Sequence, residues 1–139
     1  MDIQECFKKG LIKKTVVDKD LIASLSEMSY IKQKTVEDAL INSFNISAYV
    51  SLAYDSLREI LECICISKGY KVISHICIGE LLREEINDFN YSSFDRLRWI
   101  RNSINYYGKK IGLVEGKKVI KKIFEMKIKI NHDLKAIQI

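Results

Sequence analysis

The segment that decides the fold runs from Asn45 to Gly69 and reads NISAYVSLAYDSLREILECICISKG. Its apolar residues recur at spacings of three and four, which is the period of one face of an α-helix. The residues on that face are Tyr49, Ala53, Leu57, Ile60, Leu61 and Ile64. Asn45 or Ser47 can cap the start of the helix, and Gly69 ends it. The segment therefore predicts a long helix whose apolar face must be covered by other helices.

The same periodicity continues on both sides of this segment. The predicted helices span about residues 2–9, 18–42, 46–68, 74–86, 94–107 and 114–135. Proline is absent and glycine occurs only six times, which disfavours a β protein with many turns. The glycines at 108, 112 and 116 predict a loose connection before the last helix. We expect an all-α fold, an antiparallel helical bundle of about five helices forming one domain over residues 1–139.

The composition excludes several classes of protein. Apolar residues make up 47% of the chain and charged residues 29%, which is typical of a globular domain and not of a disordered one. The longest unbroken apolar run, Cys63 to Ile66, is far shorter than the ~20 residues that span a bilayer. The N-terminus lacks the pattern of a secretory signal. We therefore expect a cytoplasmic protein without a membrane partner.

The cysteines give no sign of a metal site. Cys6, Cys63, Cys65 and Cys77 lack the paired C-x-x-C units of a zinc ribbon. Neither His75 nor His132 completes a ligand set, and no motif for a cofactor is present. We expect four reduced, buried cysteines, no metal and no cofactor. His75 on its own is typical of a junction or core position.

Charge is distributed unevenly along the chain. Residues 1–95 carry 11 basic and 15 acidic side chains, whereas residues 96–139 carry 12 basic and 3 acidic ones. A basic segment of this kind is typical of proteins that bind a polyanion. A solvated lysine face is the alternative for the lysines alone.

The helix predicted from Phe94 to about Tyr107, capped by Ser92 or Ser93, has two different faces. At 100° per residue, one narrow arc carries Arg98, Arg101, Asn102, Asn105 and Lys109. The opposite side carries Leu97, Ile100, Ile104 and Tyr107, which we expect to be buried in the bundle.

The polar arc suits phosphate, because guanidinium offers forked donors and asparagine adds neutral ones. Few acidic residues lie near the arc in sequence, so a face neutralised by salt bridges is the less favoured alternative. Trp99 and Tyr106 flank the arc and could stack on a nucleobase, although such rings also serve cores and interfaces.

The stretch from Asp95 to Gly108, DRLRWIRNSINYYG, resembles the signature helix of the HEPN domain family. The motif of that family is Arg, then a polar residue that is commonly Asn, then His a few positions later. Two upstream stretches, residues 54–59 (YDSLRE) and 69–75 (GYKVISH), resemble the preceding helix and junction of archaeal members. Together these matches cover most of the chain from Ala48 to Ile111.

The resemblance implies an α-helical homodimer in which the signature helices of both subunits line a shared cleft. Active relatives are metal-independent endoribonucleases, often toxins paired with a nucleotidyltransferase. The resemblance further implies that Arg101 stabilises charge at the scissile phosphate and that Asn102 positions Arg101 or the phosphate. The family histidine is replaced here by Tyr106, which stays protonated at neutral pH and is a poor base.

We therefore expect a HEPN-type homodimer that binds RNA or a nucleotide in its inter-subunit cleft, with Arg101 and Asn102 facing that cleft. We further expect it to be the partner of a nucleotidyltransferase in a toxin–antitoxin-like system. Two alternatives stay open. One is a metal-independent endoribonuclease that uses Arg101, Asn102 and Tyr106, and the other is a protein-interaction module with no nucleic-acid role.

Overall fold

The computed structural model describes the backbone of residues 1–137 and the side chains of residues 1–132. Within this range the chain forms six helices and one two-stranded antiparallel ribbon. The elements are α1 (Ile3–Lys8), β1 (Ile12–Lys14), α2 (Lys19–Glu37), α3 (Ile46–Ser67), β2 (Tyr70–Val72), α4 (His75–Glu85), α5 (Tyr91–Tyr107) and α6 (Leu113–Ile137). The predicted all-α helical bundle is confirmed.

Helix α3 is the central element, and the periodicity of its sequence explains why. Tyr54, Leu57 and Leu61 are fully buried, because α2 and α6 cover α3 along its length while α4 and α5 cover the rest. Burying each large apolar side chain contributes about 1.5–3 kcal/mol before entropy is counted. The other helices are therefore placed by their contacts with α3.

Helix α2 ends five residues earlier than the sequence predicts. It begins as expected, with the Asp18 carboxylate accepting a hydrogen bond from the Leu21 amide. It ends at Glu37 and not at about Asn42. The Asn42 side chain accepts from the amides of Phe44 and Asn45, and the Asn45 side chain accepts from the amide of Asn42. These side chains satisfy backbone donors outside a helix, which favours a turn over another helical turn.

The ribbon connects the N-terminal segment to the end of α3. Strand β1 pairs with β2 in the register Ile12 to Val72. The Gly69 carbonyl extends the pairing by accepting from the Thr15 amide at 2.8 Å. The helical periodicity did not indicate these two strands of three residues each.

A disulfide joins Cys6 in α1 to Cys77 in α4, with the two Cα atoms 5.8 Å apart. The prediction of four reduced cysteines is wrong for this pair and right for Cys63 and Cys65, which are free and buried. Burial raises the pKa of the Cys63 thiol and raises the pKa of the Cys65 thiol to about 12, so both stay protonated at neutral pH. The sequence missed the bonded pair because the two cysteines are 71 positions apart and meet only when α1 packs on α4.

Gly116 has a packing role and does not belong to a loose connection. It lies inside α6 and is buried against the side chain of Ile46 in α3. A Cβ atom at this position would collide with that side chain. The missing side chain therefore lets α6 approach α3 closely, at the end of the bundle where Ile111 donates its amide to Ser47.

Candidate arginine site between helices α3 and α5

Helix α5 places the polar arc beside α3. Its cap is Asn90, whose side chain accepts from the Ser93 amide, and not Ser92 or Ser93 as predicted. The helix ends at Tyr107, because Gly108 adopts a left-handed conformation with φ +63°. Lys109 therefore lies beyond the helix and does not continue the arc of Arg98, Arg101, Asn102 and Asn105.

The Arg101 side chain is largely covered by its own chain. It is 14% exposed, and its guanidinium lies 3.5 Å from the Asp55 carboxylate of α3 and 3.4 Å from the Tyr106 hydroxyl. The same guanidinium lies over the rings of Tyr54 and Tyr106, 5.7 Å from each ring centre. Arg101 therefore lines the junction of α5 and α3 and projects less freely than the sequence predicts.

Acidic side chains balance the arginines, so the expectation of too few acids near the arc is wrong. Arg98 bonds Asp95 at 2.8 Å within α5, and Arg58 bonds Glu62 at 2.6 Å within α3. Asp55 supplies the third acid. The sequence missed this because two of the three acids lie on α3, far from the arc along the chain.

The neutralisation is incomplete at two positions. In the part of the chain whose side chains are described, the buried Nε atoms of Arg58 and Arg101 have no hydrogen-bond acceptor. A buried donor without an acceptor costs about 1–3 kcal/mol. The contact of Arg101 with Asp55 is also long for a charge-assisted hydrogen bond, which is about 2.7–2.9 Å at its best. This junction of α3 and α5 therefore has unused capacity for an acceptor.

His75, at the start of α4, belongs to the same cluster. Its pKa is lowered to about 4, first by burial and then by the positive charges of Arg58, Arg101 and Arg98. Its Nδ1 lies 3.5 Å from the Tyr54 hydroxyl. Burial raises the pKa of Tyr54, so the phenol stays protonated and can share one weak hydrogen bond with the neutral ring. His75 is therefore neutral at pH 7, with one N–H donor and one acceptor nitrogen.

The two asparagines of the arc have different surroundings. Asn105 is exposed, and its side-chain oxygen accepts from the Ser51 hydroxyl of α3 at 2.9 Å. Asn102 is half-buried on the same side of α5. Asn105 therefore connects α5 to α3, while Asn102 is the arc residue next to Arg101 in sequence.

The aromatic residues of α5 lie at the surface. Trp99 is 56% exposed, with the Arg98 guanidinium 5.8 Å from its ring, and Tyr106 is 69% exposed. The prediction that Tyr107 packs in the bundle is wrong, because it too is 69% exposed at the last residue of α5, where the chain turns away. On the predicted buried face Leu97 is buried, whereas Ile100 and Ile104 are half-covered.

Sequence reasoning on the arc missed two residues of this cluster, Arg58 and Asp55, and placed His75 at a junction without linking it to the arginines. A usable signal existed for the pair on α3. Asp55 and Arg58 are polar residues beside the fully buried Tyr54 and Leu57, and they therefore mark one edge of the buried face of α3. No such signal tied His75 to the cluster, because its position depends on how α4 packs against α3 and α5.

Comparisons of the chain with protein-family models, with curated proteins and with solved structures found no match. Among residues 1–137, no helix combines the length and apolar character needed to cross a bilayer. The cluster of Arg58, Arg98 and Arg101 with Tyr54 and His75, called the arginine site below, is therefore interpreted from its geometry.

Proposed function

We propose that the protein binds a phosphate group of RNA or of a nucleotide at the arginine site. The observation that carries the proposal is Arg101, whose Nε is buried without an acceptor and whose only acid partner among the described side chains, Asp55, is 3.5 Å away. A phosphate oxygen is a stronger and more adaptable acceptor than this distant carboxylate. The neutral His75 adds a donor without adding charge.

RNA or a nucleotide is favoured over a simple anion by what surrounds the arginines. Trp99 and Tyr106 present exposed rings beside Arg98 and Arg101, and exposed aromatic rings next to arginine suit a nucleobase attached to the phosphate. The basic final third of the chain adds a field that attracts polyanions.

The proposal includes a HEPN-type homodimer with α5 of each subunit at the shared cleft. The exposed rings of Trp99, Tyr106 and Tyr107 support it, because a second copy could bury this part of α5. A nucleotidyltransferase partner in a toxin–antitoxin-like system remains part of the proposal on the resemblance alone.

Binding is favoured over RNA cleavage by the chemistry of His75. His75 is a weak base at neutral pH, because burial and the neighbouring arginines lower its pKa to about 4. Tyr106, which occupies the position of the family histidine, is a phenol and a poor base at neutral pH. The arginine site therefore offers donors for a phosphate, and neither His75 nor Tyr106 is a base suited to neutral pH.

The test is fluorescence anisotropy with a labelled single-stranded RNA, comparing wild type with Arg101→Gln. Arg96→Gln is the matched control, because Arg96 is an exposed arginine of α5 outside the arginine site. We expect Arg101→Gln to weaken binding about tenfold or more, since a charged hydrogen bond is lost, and Arg96→Gln to have a smaller effect.

Wild-type affinity should also fall steeply as salt rises. Equal losses in the two variants, or no RNA binding at low salt, would contradict the proposal. The same samples, incubated in chelator and examined on a denaturing gel, separate a binding protein from a ribonuclease. Cleavage that disappears in Arg101→Gln would favour the enzyme.

A further inference from the structure

A groove between α5 and α6 lies apart from the arginine site. Its volume is about 430 Å³, within the range of small-molecule sites. The floor is apolar and consists of Phe89, Leu97, Ile100, Val119, Met126 and Ile130. On α5, Leu97 and Ile100 belong to the face opposite the arc that carries Arg98 and Arg101. The groove is therefore a separate feature on the other side of α5.

The lining residues of the groove extend over several turns of α6. Its α6 wall runs from Glu115 to Ile130, which is about 22 Å along a helix. At one end Lys129 Nζ lies 3.4 Å from the Asp88 carbonyl, just before α5. At the other end the short segment 108–112 joins the two helices. Helices α5 and α6 therefore run antiparallel, and the apolar groove lies between them.

The rim of the groove carries basic side chains. They are Arg96 on α5 and Lys118, Lys122 and Lys129 on α6, with Asp88, Glu115 and Glu125 as the acids. Asp88 and Glu115 lie at the two ends, and Glu125 is the one acid between them. Within residues 1–132, neither Lys118 nor Lys122 forms an ion pair. The middle of the rim thus has positive charge directly above an apolar floor.

We infer that this groove binds a long-chain carboxylate, with the hydrocarbon chain on the floor and the head group between Lys118 and Lys122. From Lys122 to Ile130 the floor runs about 12 Å along α6, which accommodates an extended hydrocarbon chain, and burial of its methylenes against apolar side chains favours binding. Both lysine ammonium groups can contact the carboxylate. A nucleotide is less suitable, because its polar sugar would lie against Val119, Met126 and Ile130.

The test uses the fluorescence of 8-anilinonaphthalene-1-sulfonate bound to the full-length protein, displaced by laurate in one series and by AMP in another. The double variant Lys118→Glu with Lys122→Glu should weaken displacement by laurate about tenfold or more. The control is Lys117→Glu with Lys121→Glu, which makes the same charge change at exposed positions outside the groove. We expect this control to stay within about twofold of wild type, because solvent and salt screen the more distant charges.

A second variant, Met126→Trp, fills the floor without changing charge and should also reduce the effect of laurate; its thermal unfolding is recorded to verify folding. Displacement by AMP but not by laurate would overturn the inference, as would equal losses in the two lysine double variants. Dye binding that falls as protein concentration rises would show that a second copy covers the groove, which would also overturn it. These outcomes are independent of RNA binding by Arg101.

Discussion

Two adjacent residues of α3, Arg58 and Glu59, belong to two different clusters of charged side chains. Glu59 lies in a cluster between α2, α3 and α6, where it forms an ion pair with Lys32 and lies near Lys127. Arg58 lies in the arginine site between α3 and α5. Glu59 is 3% exposed and Lys127 is 2% exposed, and only the Lys32 side chain of this cluster reaches the surface, at 23%. In the arginine site the Arg58 and Arg101 side chains are both partly exposed, at 23% and 14%. We call the first the sealed cluster and compare it with the arginine site.

The two clusters satisfy their charges differently. In the sealed cluster, Lys127 donates to the Ser29 carbonyl at 3.4 Å, and burial lowers its pKa to about 8 despite the opposing effect of Glu59. In the arginine site, Arg98 pairs with Asp95 on the same helix, whereas Arg101 lies 3.5 Å from Asp55 on α3. The site also borders the exposed rings of Trp99 and Tyr106. Each cluster holds a buried polar atom without a partner, Glu59 Oε2 in the sealed cluster and the Nε atoms of Arg58 and Arg101 in the arginine site. Because only the arginine site borders exposed rings, we expect the sealed cluster to act on stability and propose ligand binding only at the arginine site.

The largest effect is expected for Glu59→Gln. This change removes the buried negative charge, leaves Lys32 without its ion-pair partner and takes from Lys127 the larger of its two acidic influences, Glu59 and Glu37, which should lower the free energy of unfolding by about 3–5 kcal/mol. Glu62→Gln, one turn along α3, is the matched control and should cost less than about 1 kcal/mol, because its pair with Arg58 is partly exposed. Urea denaturation measures both, and equal losses would remove the distinction between the clusters.

Lys127→Met should stabilise the protein at pH 7 by roughly 1–3 kcal/mol, because the native state holds this ammonium at a lowered pKa. The unfolded chain binds the proton more tightly between pH 8 and about 10.4, so the wild type gains stability from this group as pH rises through that window. The advantage of the variant should therefore shrink on going from pH 8 to 10. Denaturation at several pH values tests this, and a variant that is less stable at pH 7 would contradict it.

The pH dependence of stability in His75→Gln tests whether the arginine site keeps His75 neutral. The native pKa of His75, about 4, lies below that of the unfolded chain, so the unfolded state binds more protons between pH 6.5 and 4. The wild type should lose about 1–2 kcal/mol over this interval from this group, after allowance for its partial exposure. The variant should lack that component of the acid loss in denaturation curves. Parallel pH profiles of the two proteins would show that His75 is not held neutral.

Asp55→Asn should have the smallest effect on stability, below about 1 kcal/mol, because its contact with Arg101 is long and partly exposed. It removes the acid that competes with a phosphate for Arg101, so RNA affinity should rise a few-fold. Asp95→Asn, which releases Arg98, provides a comparison within α5. Weaker RNA binding by Asp55→Asn would indicate that Asp55 positions Arg101 for the ligand and does not compete with it.

The fold was predictable where a local pattern determines it. The spacing of Leu57, Leu61 and Ile64 specified the buried face of α3, and the side chain of Asp18 marked the start of α2. The end of α2 was not predictable in this way, because the hydrogen bonds of Asn42 and Asn45 compete with the helix only in the folded turn. The disulfide depends on the packing of α1 against α4, which no spacing in the sequence expresses.

The site was predictable only along α5. The helical arc correctly grouped Arg98 with Arg101 and left Trp99 and Tyr106 exposed. The contributions of Asp55, Arg58 and His75 come from other helices, so a pattern within one helix could not reveal that the arginines are partly neutralised. Tyr107 shows a related limit of sequence patterns. Helical periodicity placed it on the buried face, but it cannot tell whether a neighbouring element extends far enough to cover that position.

The most direct test of the central claim, that the arginine site receives a phosphate, is an NMR titration of the two histidines with a short RNA oligonucleotide. His75 belongs to the site, and His132 is exposed on α6 and serves as the internal reference. We expect the His75 ring signals to shift on binding and its pKa to rise from about 4, because the phosphate offsets the charges of Arg58, Arg101 and Arg98. Binding that leaves the signals and pKa of His75 unchanged would contradict the claim.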